Sequence, residues 1–311
     1  MQGHSIPFLK PIYLIISCTI LWASCNKGPG NTANKESLSL TERLDEGEVR
    51  AGVVTDTSAL FGGVSAEGKV GDIKIYNDRA RFVIQSAGQS NYYVGYGGSV
   101  IDADIIRPFG QPGQDLLDDS STMVGLGRMF DADTVKVIND GSNGKAAVVE
   151  AKGGANPLTL LSGSLEANDL ILDRSVEITT EYVLEPDSWL LEMNTHIRWT
   201  DKPTMILLAD LAFVAVDVAD MYQPEVGYQS DEALAEYGWT SIMGQRNEGA
   251  IAFLQGKEDG TFKSSVLLDT LRELGPLLIG PRSQQELKDG DEITWSRYLG
   301  VGPDLATMTD E

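Results

Sequence analysis

The sequence is poor in the residues that carry most enzyme and metal chemistry. It has two cysteines, Cys18 and Cys25, both in an N-terminal apolar segment. Everything after Cys25 therefore has no disulfide and no thiol nucleophile. Histidine occurs twice, as His4 and His196, which excludes a zinc site built from several His and Cys ligands. Positive charge is scarce too: 24 Lys and Arg stand against 46 Asp and Glu, for a net charge of −22. Nucleic acid is excluded as a partner, since binding without sequence preference needs cations on phosphates. A basic patch for anionic lipid is missing as well. No glycine-rich turn opens an amphipathic helix, so there is no phosphate loop or dinucleotide fingerprint. No Ser/His/Asp order or nucleophile elbow stands out, and nothing in the chain calls for a cofactor. What remains is ample for folding. Hydrophobic residues make up 42% and charged residues 23% of 311, enough to pack one large β domain or two smaller ones.

The short, weakly basic Met1–Lys10 is followed by an apolar run, Pro11–Ala23. That run is shorter than the roughly 20 residues of a transmembrane helix and has the length of a signal-peptide core. It ends in Leu21-Trp22-Ala23-Ser24-Cys25. This resembles the lipobox of bacterial lipoproteins, with Ala23 and Ser24 as the small residues and Trp22 where the family usually has Leu. The resemblance implies a signal peptide over 1–24, a lipid such as palmitate on Cys25, and a membrane partner reached through that anchor. Ile15-Ile16-Ser17-Cys18 fits the same letters but leaves too short an apolar core after Lys10. Asn26, in place of Asp, implies the outer membrane, with the protein periplasmic or surface-exposed. Residues 25–47 are rich in Gly, Asn, Ser and Pro and read as a flexible tether. Residues 48–311 read as the folded β-sandwich unit, either whole or cut short at Glu311.

That unit reads as strand after strand. Glu48–Thr55 is a first strand. Ile73–Ile84 is a hairpin with Asn77-Asp78 at the turn, since both tolerate a left-handed backbone. Tyr76 opposite Arg79 puts Ile73, Ile75, Ala80, Phe82 and Ile84 on one face and leaves Arg79 and Arg81 solvated. The glycines of Tyr92–Gly98 mark a bulge or a close backbone approach, and Ser99–Ile105 is a third strand. Pro108–Thr122 reads as a loop with Asp115, Asp118 and Asp119, without the ligand order of an EF-hand. Val135–Ile138 and Ala146–Ala151 form a hairpin across Asn139–Lys145. Arg174–Trp199 is another, and pairing Leu184 with Trp189 sets Glu177 opposite His196 and Glu181 opposite Glu192. Met205–Val218 is apolar except for Asp210 and Asp217 and reads as one or two buried strands. A short helix is expected over Asp231–Tyr237. Ile251–Leu254, Phe262–Leu267 and Ile293–Val301 are the last strands. Roughly fifteen strands with little helix predict an all-β fold, a large antiparallel β-sandwich.

Asn77-Asp78, Arg81–Gln85, Gly97-Gly98-Ser99-Val100-Ile101-Asp102 and the meander Tyr182–Trp199 together resemble galactose-mutarotase-like β-supersandwich domains. That fold is shared by sugar epimerases and by polysaccharide lyases and hydrolases. The chain is also similar to the N-terminal parts of bacterial lipoproteins in which such a domain precedes a metallohydrolase. Mutarotases use two histidines and a glutamate; beyond residue 24 this chain has His196 alone, so that chemistry does not carry over. Two readings follow. In the first, the domain is non-catalytic: it binds glycan or an envelope protein, or presents a downstream module. Glu177, His196, Arg198, Tyr228 and Trp239 are then the candidate binding residues, with Trp189, Trp199, Tyr222 and Tyr237 as further rings able to stack on sugars. In the alternative, the chain is a carbohydrate-active lyase, epimerase or hydrolase with Glu177, His196 and nearby acids in a cleft.

Overall fold

The computed structural model describes residues 39–310 except 64, 90–91, 126, 159–174, 215–218, 225–226, 229–234, 245–248, 257–261, 267–275 and 280–284. The expected signal peptide, Cys25 and the expected tether as far as 38 lie outside the described residues. Within them, helix is confined to a 3-10 turn at Thr57–Ala59 and one short helix, α1 (Leu305–Asp310). No helix there is long and apolar enough to cross a membrane. The fold is all-β and antiparallel, as the alternating pattern predicts.

The chain builds two sheets by turns. β1 (Val49–Val53), β2 (Ile73–Asn77), β3 (Ala80–Ile84), β4 (Val100–Ile105) and β5 (Leu117–Val124) form a meander that begins the first sheet. The chain turns a corner where Met123 pairs with Met129. A second meander, β6 (Arg128–Asn139), β7 (Ala147–Pro157), β8 (Val176–Leu184) and β9 (Leu190–Trp199), begins the second sheet. After a short β10 (Thr204–Ile206), β11 (Leu208–Val214) returns to the first sheet beside β5. β12 (Ala219–Gln223) and β13 (Gly227–Tyr228) lie at the far end of the second sheet. β14 (Ala235–Tyr237) lies at the far edge of the first. β15 (Trp239–Gly244) and β16 (Ala250–Gln255) extend the second sheet. β17 (Phe262–Val266) and β18 (Pro276–Ile279) fill the first between β14 and β11. β19 (Gln285–Leu287) pairs with β10, and β20 (Glu292–Gly302) closes the second sheet between β9 and β16.

The sequence makes these strands face each other. β8, β9 and β20 alternate buried with more exposed residues, the period that leaves one face of a sheet apolar. Phe82, Val124 and Leu208 of the first sheet share one buried cluster with Ile178, Leu191 and Trp295 of the second. The two sheets therefore pack as a sandwich. A buried cation lies between the sheets: Arg297, 4% exposed, is ion-paired with Asp210, 2% exposed, from the opposite sheet. Gly98 has φ +96°, and a Cβ there would meet Phe130 Cε1 at 2.7 Å, so the backbone does approach closely at the glycine run.

Several sequence expectations shift. The first hairpin pairs Tyr76 with Arg81, moving the turn to Asp78-Arg79. The second pairs Leu184 with Leu191, again two residues from expectation. A two-residue shift keeps every side chain on its face, so the apolar pattern cannot distinguish the registers. Asn77 does distinguish them. Its Oδ1 accepts from Arg79 N and Ala80 N, both at 2.8 Å, while its Nδ2 donates to Glu185 O and Ser188 O at 3.0 and 2.7 Å. One side chain thus holds both turns. Arg79 and Arg81 are partly buried instead of solvated, because chain on either side folds over that face. Ser39–Gly47, counted with the tether, lies against it: Leu40 and Leu44 are buried with Val54, Ala59 and Tyr76. Lys74 Nζ donates to Leu40 O at 2.7 Å there. The expected loop at Pro108–Thr122 gives way to strand at Leu117. Of the expected helix Asp231–Tyr237, 231–234 lie outside the described residues and Ala235–Tyr237 is strand, paired with β17.

Candidate functional site

The residues singled out from the sequence fall into two places. Glu177 pairs with Arg198, Nη1 to Oε2 at 3.0 Å, and His196 Nε2 lies 3.4 Å from Glu292 Oε2. The two-residue register change separates Glu177 from His196, which faces Thr179, and Glu181 from Glu192, which faces Val183. All four ion-pair side chains are 45–64% exposed on the outer face of the second sheet, where such pairs are worth about 1 kcal/mol or less. They form no cleft with one another. Trp199 is a core residue, its Nε1 donating to Lys202 O at 2.9 Å. Trp189 packs beside Ala250, Ala252 and Met308. The side chain of Tyr237 lies outside the description.

Tyr222, Tyr228 and Trp239, in contrast, come together. β12 pairs Tyr222 with Tyr228 on one side and with Ser241 on the other. Trp239 is two residues from Ser241 and so lies diagonal to Tyr222, within reach of an aromatic side chain. The Tyr222 and Tyr228 rings form a T-shaped pair with centroids 5.4 Å apart, and the Tyr222 ring is tilted by 33° against Trp239 at 5.5 Å. Gly227, at φ +84°, lets the chain turn back tightly enough for Tyr228 to reach its partner. Tyr228 is 55% exposed, Tyr222 and Trp239 partly so. The group is an aromatic platform open to solvent on one side.

The outer face of the first sheet holds a second arrangement. Asp102 Oδ1 and Oδ2 accept from Glu67 N and Gly68 N at 2.7 and 3.0 Å. Asp115 Oδ1 accepts from Ala103 N at 2.9 Å, and Asp119 Oδ2 from Val94 N at 2.9 Å. Asp104 takes Arg81, Arg107 and Gln114 N. Asp72 takes Lys69 N, Ser86 N and the Ser86 hydroxyl. Buried aspartates thus fasten the loops that cross this sheet. Burial pushes the Asp115 and Asp119 carboxyls well above the usual range and Asp102 to about 6. Glu67 is pushed to about 8, by burial first and then by Asp119, Asp118 and Asp102. Its Oε2 is buried with no hydrogen-bond partner among the described residues. A carboxyl that keeps its proton near neutral pH can donate a hydrogen bond or a proton. Among the described residues, no group of three or more His, Cys, Asp or Glu is arranged to hold a metal ion. The sequence pointed to Asp115, Asp118 and Asp119 but not to their partners. Its missed signal is Asp102 and Asp104 inside the strand Val100–Ile105, where acids in an apolar run need a reason to be there.

No family model and no curated protein matches the sequence. Solved structures do resemble it. A galactose mutarotase related enzyme from Lactobacillus acidophilus matches 74% of this chain and 97% of its own at 10% identity, with a TM-score of 0.43. A galactose mutarotase-like protein from Clostridium acetobutylicum matches 82% and 98% at 9% identity and TM-score 0.44. A TPR-domain containing protein from Parabacteroides distasonis matches 75% of this chain and 47% of its own at 11% identity and TM-score 0.47.

The buried acids set a pH dependence. Unfolded, Asp and Glu ionise near about 4; folded, Asp102 and Glu67 hold their protons to about 6 and about 8. The folded chain therefore binds more protons across that window, and their contribution to stability, complete at low pH, is lost as pH rises through 6 to 8. Lys74, lowered to about 7 mainly by burial, acts in the opposite sense above that value. The thermal midpoint of the wild type is expected to fall between about pH 5 and pH 7.5, and Glu67→Gln to make that fall smaller. Superimposable pH profiles for the two proteins would contradict the placement of Glu67.

Proposed function

We propose that the chain is a lipid-anchored β-sandwich domain of the bacterial cell envelope that binds glycan through Tyr222, Tyr228 and Trp239 and is not itself a catalyst. The observation that carries the reading is the platform itself. Three rings from three strands meet on one face of the second sheet, with Tyr228 55% exposed and Tyr222 and Trp239 partly so. Sugar rings have apolar C–H faces and polar rims, and rigid aromatic side chains match such faces at little entropic cost. A net charge of −22 suits a neutral ligand better than an anionic one. The enzyme alternative needed Glu177 and His196 in one cleft, and they are separately paired on an open face. Anchoring is inferred from Cys25 and the apolar run before it, and Asn26 after the cysteine favours the outer membrane.

A glycan array and titration calorimetry test the binding. Tyr228→Ala and Trp239→Ala, each checked for folding by circular dichroism, should weaken binding about tenfold, or ~1.4 kcal/mol. Glycan binding untouched by both variants, or no binding to any glycan, would overturn the reading. The anchor is tested with radiolabelled palmitate, which should enter the wild type and not Cys25→Ala. Equal labelling of both would remove the anchor from the account.

A further inference from the structure

The aromatic platform does not stop at Trp239. Trp239 is directly opposite Leu254 on β16, Leu254 is opposite Tyr298 on β20, and Tyr298 is opposite Glu192 on β9. Residues directly opposite in antiparallel strands lie on the same face of the sheet. The alternate residues Phe253, Leu299 and Leu191 belong to the buried core, so the Trp239–Leu254–Tyr298–Glu192 row is on the outer face. All four are partly exposed. With Tyr228 and Tyr222 at one end, the row crosses the second sheet at right angles to its strands. From β12 to β9 it spans four strand spacings, roughly 19 Å. That is longer than a monosaccharide or a disaccharide, with rings at Tyr222, Tyr228 and Trp239 and again at Tyr298, one strand from its far end.

We infer that this row is the full ligand track of the glycan site, and that its ligand is a neutral, unbranched oligosaccharide lying across the strands. The inference rests on the reading above and extends it from one platform to a set of subsites. Tyr222, Tyr228 and Trp239 take the first sugar rings and Leu254 lies under the middle of the chain. Tyr298 stacks on a distal ring, and the Glu192 carboxylate accepts from its hydroxyls. Just beyond, the Ser296 hydroxyl and Asn194 Oδ1 lie 2.5 Å apart, a further polar rim. Glu192 ends the track, and Glu292 and Glu177 lie on the same sheet face. Glu177 is neutralised by Arg198, so the Glu192 carboxylate is the charge that repels uronic-acid and sulfated chains, and it selects a neutral one.

The test uses the folded full chain and ladders from monosaccharide to hexasaccharide of neutral β-1,4-linked glucose, N-acetylglucosamine, mannose and xylose. A polygalacturonate ladder is the anionic comparison. Affinity measured by calorimetry should climb beyond the disaccharide and then level off. Tyr298→Ala should weaken the hexasaccharide about tenfold and leave the disaccharide unchanged, whereas Tyr298→Phe should keep most of the gain. If Trp239→Ala abolishes binding while affinity is independent of length, or Tyr298→Ala leaves the hexasaccharide unaffected, the track is wrong and the platform stands. A preference for polygalacturonate would overturn the neutral ligand. Silence on every ladder would overturn both the track and the platform.

Discussion

The structure depends most on one cation buried between its two sheets. Arg297 uses all five of its guanidinium N–H groups. Nε and Nη2 donate to Asp210 at 2.5 and 2.8 Å, Nη2 also to Thr122 Oγ1 at 2.7 Å, and Nη1 to Thr195 Oγ1 and Met193 O at 2.6 and 3.1 Å. Its Cζ lies 4.2 Å from the centroid of the Trp295 ring. Thr122 and Asp210 come from the first sheet; Met193, Thr195 and Arg297 come from the second. A buried charge this fully satisfied adds little net stability over an apolar isostere, but it is intolerant of misplacement. Apolar sandwich faces can slide over one another at modest cost. A guanidinium that must meet one carboxylate and two threonines cannot.

That constraint reaches the outer surface because strands alternate. Arg297 points in and Tyr298 points out; Met193 points in and Glu192 points out. Fixing the inner residue fixes its outer neighbour within about 3.4 Å along the strand. The Tyr298–Glu192 end of the row therefore sits directly behind residues that the buried guanidinium engages. The first sheet is built differently. Its outer face is covered by loops that buried aspartates hold through main-chain N–H groups. It is a fastened surface, whereas the outer face of the second sheet carries Tyr222, Tyr228 and Trp239.

Fold class was readable from alternation, because a period of two over many short segments has one physical solution. The faces of both main hairpins were readable for the same reason. Their registers were not: an even shift preserves every face, and the deciding bonds come from Asn77, over 100 residues away from the second turn. Asp210 was visible as a charge interrupting an apolar strand, but its partner Arg297 was not, since pairing across a sandwich leaves no local spacing to find. Tyr228 and Trp239 were chosen for their type, and the fold brought them together through Tyr222. Glu177 and His196 were chosen from a register that does not form, so that pair dissolved. The acid anchors at Asp102 and Asp104 were missed because buried aspartates inside a strand look like ordinary surface charge until the covering loops are seen.

The account turns on Arg297 and Asp210 holding the two sheets in one relative position, and a double-mutant cycle in urea tests this most directly. Asp210→Leu and Arg297→Met should each cost about 3–5 kcal/mol, because each leaves its partner buried and unpaired. The double variant should recover most of that loss, giving a coupling energy of at least ~2 kcal/mol. Single losses under about 1 kcal/mol that simply add in the double variant would mean that the sheets are held by apolar packing alone.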